Sequence, residues 1–292
     1  MTETHYFYTN QKEDLKQYCQ QNHLQSKGDR FIIAKQFDQI VGFGALSNNI
    51  FHPYNDYLYL HVLADFRSLG IASTILQRLK AHQNKSKLQC LSKSDDSSVI
   101  QFLNKNHFLQ VRTTLDLDIY LSAINRVENY KLISTKLSKL NSPQLHELKK
   151  LIHHNYSKYH HHINPLNKAI NAEQLFLHTQ KDLDWNHSYV LIHDNNGPSE
   201  KFNRYSIQAY FLVSTSFQDK SDIILIGGNQ ENDIQIHLNF FCWVLNKLAD
   251  QFKILSLESD DTDFYTQSLS KYLKIKPQNS YYTFIQFDDQ QD

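Results

Sequence analysis

Apolar residues along this chain recur at two different periods, every second position in some stretches and three to four apart in others, and the switches between them predict a succession of strands and helices. Residues 4–9 alternate as a strand, and residues 11–22 place Leu15, Tyr18 and Cys19 at helical spacing. Residues 30–36 and 39–46 read as a hairpin around Phe37-Asp38-Gln39, a loop with Pro53 covers 48–55, and 57–63 is a fourth strand. The stretch 69–83 repeats Ile71, Ile75, Leu76 and Leu79 on one helical face and leaves Arg78, Lys80 and Gln83 for solvent. A strand over 87–92, a helix over 97–105 and a strand over 111–120 complete an α/β unit.

The remainder repeats that order. A strand is expected over 130–137, helices over 142–154 and 165–178, and strands over 188–193, 205–215 and 222–226. Residues 233–251 then carry Ile234, His237, Leu238, Phe241, Val244, Leu245 and Leu248 on one helical face, before a strand over 253–258, a helix over 262–272 and a strand over 281–287. Residues 88–95 and 254–261 both read as a strand running into an acidic turn, so we infer a duplication. With 292 residues available, two domains are expected, over 1–125 and 126–292.

The two halves differ at one junction. In the first, the strand over 57–63 gives way to a helix through Arg67-Ser68-Leu69-Gly70-Ile71-Ala72. The first backbone N–H groups of a helix have no intrahelical partner, and the dipole favours negative charge there, so such a turn can seat a pyrophosphate. Gly70 and Ala72 keep bulk away from the backbone, and Arg67 can add a charge-assisted contact. The second half has Gly227-Gly228-Asn229-Gln230 at the matching place, a pair of glycines that fits a turn or bulge better than an anion cradle.

Arg67, Gly70 and Ala72, opening a helix after the fourth strand, match the Gln/Arg-x-x-Gly-x-Gly/Ala pattern, and with the surrounding order of elements the chain resembles the GNAT superfamily of acetyl-CoA-dependent N-acetyltransferases. The resemblance implies an α/β (α+β) fold of two GNAT-like domains, each a mixed, mostly antiparallel sheet flanked by helices, the second degenerate. It implies acetyl-CoA as co-substrate in the opening between 57–63 and 87–92. Val62, Leu63 and Ala64 would meet the pantetheine and thioester through backbone groups, with an N–H near Val62 or Leu63 polarising the thioester oxygen, and Arg67, Ser68, Leu69, Gly70, Ile71 and Ala72 would meet the pyrophosphate.

Transfer to an amine requires the ammonium to lose a proton first. Strand alternation places Tyr57, Tyr59, His61 and Leu63 on one face, so His61 is the candidate base, with a histidine bonded within the sheet or a water relay as the alternatives. The family often has a tyrosine acid on the helix after the fifth strand; Leu103 stands there, which leaves Tyr57, Tyr59, Tyr120 or a residue of the second domain as substitutes and keeps a CoA-binding sensor or scaffold without turnover in view. Acyl or aminoacyl transfer on a related double fold is a further alternative, which the intact turn argues against. His153, His154, His160, His161 and His162 fit a solvated loop or an acceptor-facing surface better than a metal site, because no carboxylate or cysteine stands at ligand spacing.

Composition narrows the partners. Thirty basic residues balance thirty acidic ones, so neither nucleic acid nor an anionic membrane is expected as a partner. Cys19, Cys90 and Cys242 are widely spaced and fit reduced thiols, the first residues lack a signal pattern, and no apolar run is long enough to span a bilayer. A cytoplasmic protein acting on a small-molecule or peptide amine, with a homodimer as the assembly in view, is the expectation.

Overall fold

The computed structural model describes residues 3–10, 13–24, 28–125, 133–194, 205–215 and 218–287. In chain order the first half contains β1 (His5–Thr9), α1 (Glu13–Gln21), β2 (Arg30–Gln36), β3 (Gln39–Ser47), β4 (Asp56–Val62), α2 (Ile71–Lys80), β5 (Lys87–Lys93), α3 (Ser97–Lys105) and β6 (Leu109–Tyr120). The second contains β7 (Ile133–Lys136), α4 (Ser142–His160), α5 (Ala172–Thr179), β8 (Tyr189–Asp194), β9 (Tyr205–Val213), β10 (Lys220–Gly228), α6 (Ile234–Leu248), β11 (Ile254–Asp260), α7 (Phe264–Leu273) and β12 (Asn279–Phe287).

Side-chain chemistry sets several helix starts. Asp96 accepts from the Val99 N–H at the head of α3, and Asp263 from Tyr265 and Thr266 at the head of α7. Asn141 with Gln144, and Asn171 with Gln174, form reciprocal capping boxes that open α4 and α5. The second box explains why α5 begins at Ala172 rather than at the expected 165. Helix α4 runs six residues beyond the expected end at 154, to His160, and the leading part of the strand expected over 130–137 lies outside the described residues.

The chain condenses into two compact units, one comprising Met1–Val111 with Tyr282–Asp292, the other Arg112–Tyr281. This division departs from a cut at 125/126. The closing strand of each unit comes from the end of the other half of the chain: within the first unit the strand order is β1-β2-β3-β4-β5-β12, within the second β6-β11-β10-β9-β8-β7. The pairs β4/β5 and β10/β11 are parallel; β1/β2, β2/β3, β3/β4, β6/β11, β7/β8, β8/β9 and β9/β10 are antiparallel. Each unit is thus a mixed, mostly antiparallel sheet flanked by helices.

In the first unit Ile71, Ile75, Leu76 and Leu79 of α2 pack with Ile32, Val41 and Leu58 of the sheet and with Phe284 of β12. Leu15, Tyr18 and Cys19 of α1 form a separate core with Phe31, Ile33 and Phe43. In the second unit Leu238, Phe241, Val244, Leu245 and Leu248 of α6 pack on Phe211, Leu255, Leu257 and, from β6, Leu117 and Ile119. The three cysteines are free. Among the described residues no helix is long and apolar enough to cross a membrane.

Candidate active site

Strands β4 and β5 pair at only two positions, Asp56 with Leu88 and Tyr57 with Gln89, and diverge from there. A buried polar cluster pins the closed end. Asp56 accepts from Arg30 Nη2 at 2.7 Å and from the Asn84 and Lys85 N–H groups at 2.6 and 3.1 Å, and Asn55 donates to Gln89 at 2.7 Å. Along the open arm, Val62 faces Gly42 while the next N–H, that of Leu63, bonds to the Val41 carbonyl at 2.9 Å. That alternation makes Val62 a non-hydrogen-bonded position of the β3/β4 ladder, so its N–H and C=O point away from β3 into the opening. Of the backbone groups expected to polarise a thioester, the Val62 N–H is therefore available and the Leu63 N–H is already committed.

After β4 a short 3-10 turn over Ala64–Phe66 leads into the turn itself. Ser68 and Gly70 both have left-handed backbones, with φ of 62° and 80°. A Cβ on Gly70 would meet nothing within 4 Å, so the backbone angle demands the glycine and the space above it is open. Helix α2 has no side-chain cap, and among the described residues the N–H groups of 68–73 find no acceptor; the first ladder bond runs from Thr74 to the Gly70 carbonyl. Such a run of unclaimed donors at the positive end of a ten-residue helix fits a phosphate group. Arg67 is exposed and its Nε donates to the Val62 carbonyl at 3.2 Å, tying the turn to the mouth of the opening. The Ile71 side chain faces the core, so its part in a phosphate site is through its N–H alone; Ala72 is half-buried and Leu69 is exposed.

His61 is half-buried on the face that also carries Tyr59 and Leu63, where α1 packs. Its Nδ1 lies 2.8 Å from the hydroxyl of Tyr18, and burial, helped by the charge of Arg67, holds its pKa below that of a free imidazole. Tyr18 had no signal in the sequence beyond its place on the apolar face of α1. Tyr57 donates to the His52 carbonyl at a long 3.4 Å. Leu103 is buried in the first core and offers no acid group.

Residues 2–108, nearly the whole of the first unit's leading segment, match the family model described as Acetyltransferase (GNAT) family. The first unit is a GNAT domain. The whole chain also has the fold of double-domain proteins: a tandem GNAT protein from the clavulanic acid biosynthesis pathway superposes with a TM-score of 0.54 at 11% identity, covering 99% of this chain and 100% of that one. A GCN5-related N-acetyltransferase from Sphaerobacter thermophilus gives 0.63 at 12% identity over 88% and 80% of the two chains. A GNAT-family acetyltransferase from Colwellia psychrerythraea gives 0.54 at 12% identity over 97% and 99%. No curated protein sequence matches the chain.

The second unit keeps the GNAT order but closes the corresponding turn. Gly227 and Gly228 end strand β10 rather than forming a turn, and a Cβ on either would collide with side chains, Tyr210 and Asn155 for the first and His237 for the second. The glycines make room for the protein's own side chains. At the head of α6, Glu231 is bonded by Lys158 at 2.6 Å and Tyr159 at 3.0 Å, contacts that hold its carboxyl below the usual range, and Asp233 follows it. Two carboxylates thus stand in the turn that leads into α6, where their charge opposes a bound phosphate.

Strands β10 and β11 also diverge, beyond Ile223 and Leu257, and a cavity of about 580 Å³ opens there. Asp116, Asp118, Asp222, Glu258, Asp260 and Asp263 line it. Burial pushes the Glu258 carboxyl up and that of Asp263 to about 6. The clustered histidines disperse: His153 bonds to the Ile170 carbonyl at 3.0 Å, His160 stacks on Tyr156 and lines this cavity, and His154 lines a smaller one by Glu231. Among the described residues no three potential ligands gather to hold a metal.

Proposed function

We propose that the GNAT unit transfers an acetyl group from acetyl-CoA to the nitrogen of a small-molecule or peptide amine by direct attack in a ternary complex. The observation that carries this reading is the uncapped turn over 68–73, whose N–H groups lack acceptors among the described residues, set beside the Val62 N–H that points away from β3. Arg67, Gly70 and the head of α2 would hold the pyrophosphate, and Val62 the thioester end. A neutral amine forms the C–N bond, the C–S bond breaks, and the thiolate takes the proton that the nitrogen sheds. A lysine-like ammonium, with a pKa of ~10, gives up its first proton to water before attack. The second unit, with carboxylates at α6 and an acidic cavity, holds no acetyl-CoA in this reading and serves to shape the acceptor's surroundings.

Calorimetric titration of acetyl-CoA into the whole protein and into Arg67→Glu tests the donor site. One equivalent should bind, and the variant should bind about tenfold more weakly or worse, the ~1.4 kcal/mol scale of a charge-assisted contact. Equal affinity in both removes the pyrophosphate role, and a second equivalent overturns the silent second unit. The buried Leu103 favours one other reading, a CoA sensor without turnover. Tight binding with no thiol release across an amine panel would select it.

A further inference from the structure

Tyr18 is 6% exposed, and among the described residues its hydroxyl has one partner, Nδ1 of His61 at 2.8 Å. A phenol carries a single proton. If the oxygen accepted from an Nδ1–H, its own O–H would be left buried with no acceptor, a loss on the order of 1–3 kcal/mol. If the hydroxyl donates instead, both groups are satisfied. Burial, with Cys19 adding to it, pushes Tyr18 well above the ordinary phenol range, so the proton stays on oxygen. Burial and Arg67 likewise keep the imidazole neutral. A neutral imidazole whose Nδ1 accepts carries its N–H at Nε2. That nitrogen has no partner among the described residues and is not enclosed, so it is open to a ligand.

We propose that Tyr18 is a positioning residue that locks His61 as the Nε2–H tautomer, so that the histidine contributes a hydrogen-bond donor to acetyl transfer rather than a base. This rests on the catalytic reading of the first unit. The Leu63 N–H is committed to Val41, which leaves the Val62 N–H as the backbone donor of the pair, and a side-chain N–H from the neighbouring His61 would add a second. It would serve an oxygen that gains negative charge as the amine attacks. In this arrangement the only lone pair on the ring faces Tyr18, leaving none toward the amine.

Long-range proton–nitrogen correlation spectra of the whole protein with labelled histidine read the tautomer without any substrate, the His61 signals being assigned by their loss in His61→Gln. Wild type should show a protonated Nε2 and an unprotonated Nδ1. Tyr18→Phe keeps the ring that packs edge-on to Phe43. It should yield a mixture of tautomers and raise the His61 protonation midpoint by roughly half a unit to one unit, because a hydrogen bond to the neutral form is lost. An Nδ1–H form in wild type, or an unchanged tautomer in the variant, overturns the proposal; if the variant fails to fold, the wild-type spectrum decides. In turnover, His61→Gln retains an N–H donor without a basic ring and should lose less kcat than His61→Ala, while equal losses would assign the base role to His61. Binding of acetyl-CoA is read separately, so failure of the donor site and failure of this proposal are distinguishable.

Discussion

Glycines in this chain do opposite jobs at equivalent places. Gly70 is required by its backbone angle and has open space above it, so Gly70→Ala should cost about 1 kcal/mol in a denaturant melt and weaken acetyl-CoA by obstructing the phosphate. Gly228 is required by the ring of His237 packed on it; Gly228→Ala should cost several times as much and leave acetyl-CoA affinity unchanged. The Arg67 to Ala72 pattern was legible because its chemistry lies within six neighbouring residues. The Gly227-Gly228 pair was not, because what fills it, Asn155, Tyr210 and His237, arrives from other elements. His237 is fully buried, and burial lowers its pKa from 6.5 to about 4. The unfolded chain therefore takes up a proton in that window that the folded one refuses, so stability is full above pH 6.5 and falls by up to ~3 kcal/mol as the pH drops to about 4. His237→Leu should flatten that slope in pH-dependent melts. Asp263, pushed up to about 6, acts in the opposite sense, and the difference between variant and wild type isolates the histidine.

Among elements, the decisive feature is the divergence of β4 from β5. Periodicity located both strands and the helix between them, yet where they part depends on the polar cluster of Arg30, Asn55, Asp56 and Gln89, drawn from three strands and the loop before β4. Asp56→Ala would leave Arg30 buried without its carboxylate and free the connection between α2 and β5; a loss of about 3–5 kcal/mol is expected by chemical denaturation. The start of α4 was readable at 142, where Asn141 and Gln144 form a local capping box, whereas the apolar spacing before Asn171 drew the expected start of α5 to 165 although its box with Gln174 is just as local. The end of α4 was not, because the residues past 154 are polar and aromatic and their helical state rests on packing and on contacts such as that of Asn155 with the Gly228 carbonyl at 3.1 Å. His61 was identified as a candidate from alternation along β4, whereas its partner Tyr18 sits 43 residues away on α1.

At the scale of the whole molecule, each unit is completed by a strand from the end of the other half. Phe284 of β12 is 1% exposed in the first core, and its burial contributes on the order of 1.5–3 kcal/mol. Truncation after residue 281 should therefore unfold the first unit, lowering its melting transition and abolishing acetyl-CoA binding, while the second unit retains its own core. A fragment ending at 125 should fare equally badly. The succession of strands and helices, the duplication, the GNAT likeness and the place of the Gly70 turn were legible in the chain alone, because periodicity and turn chemistry act between residues a few positions apart. Tertiary structure alone decided which strand closes which sheet, which glycines face open space, and which nitrogen of His61 faces Tyr18, because those outcomes depend on contacts between residues far apart in the chain that no local pattern encodes.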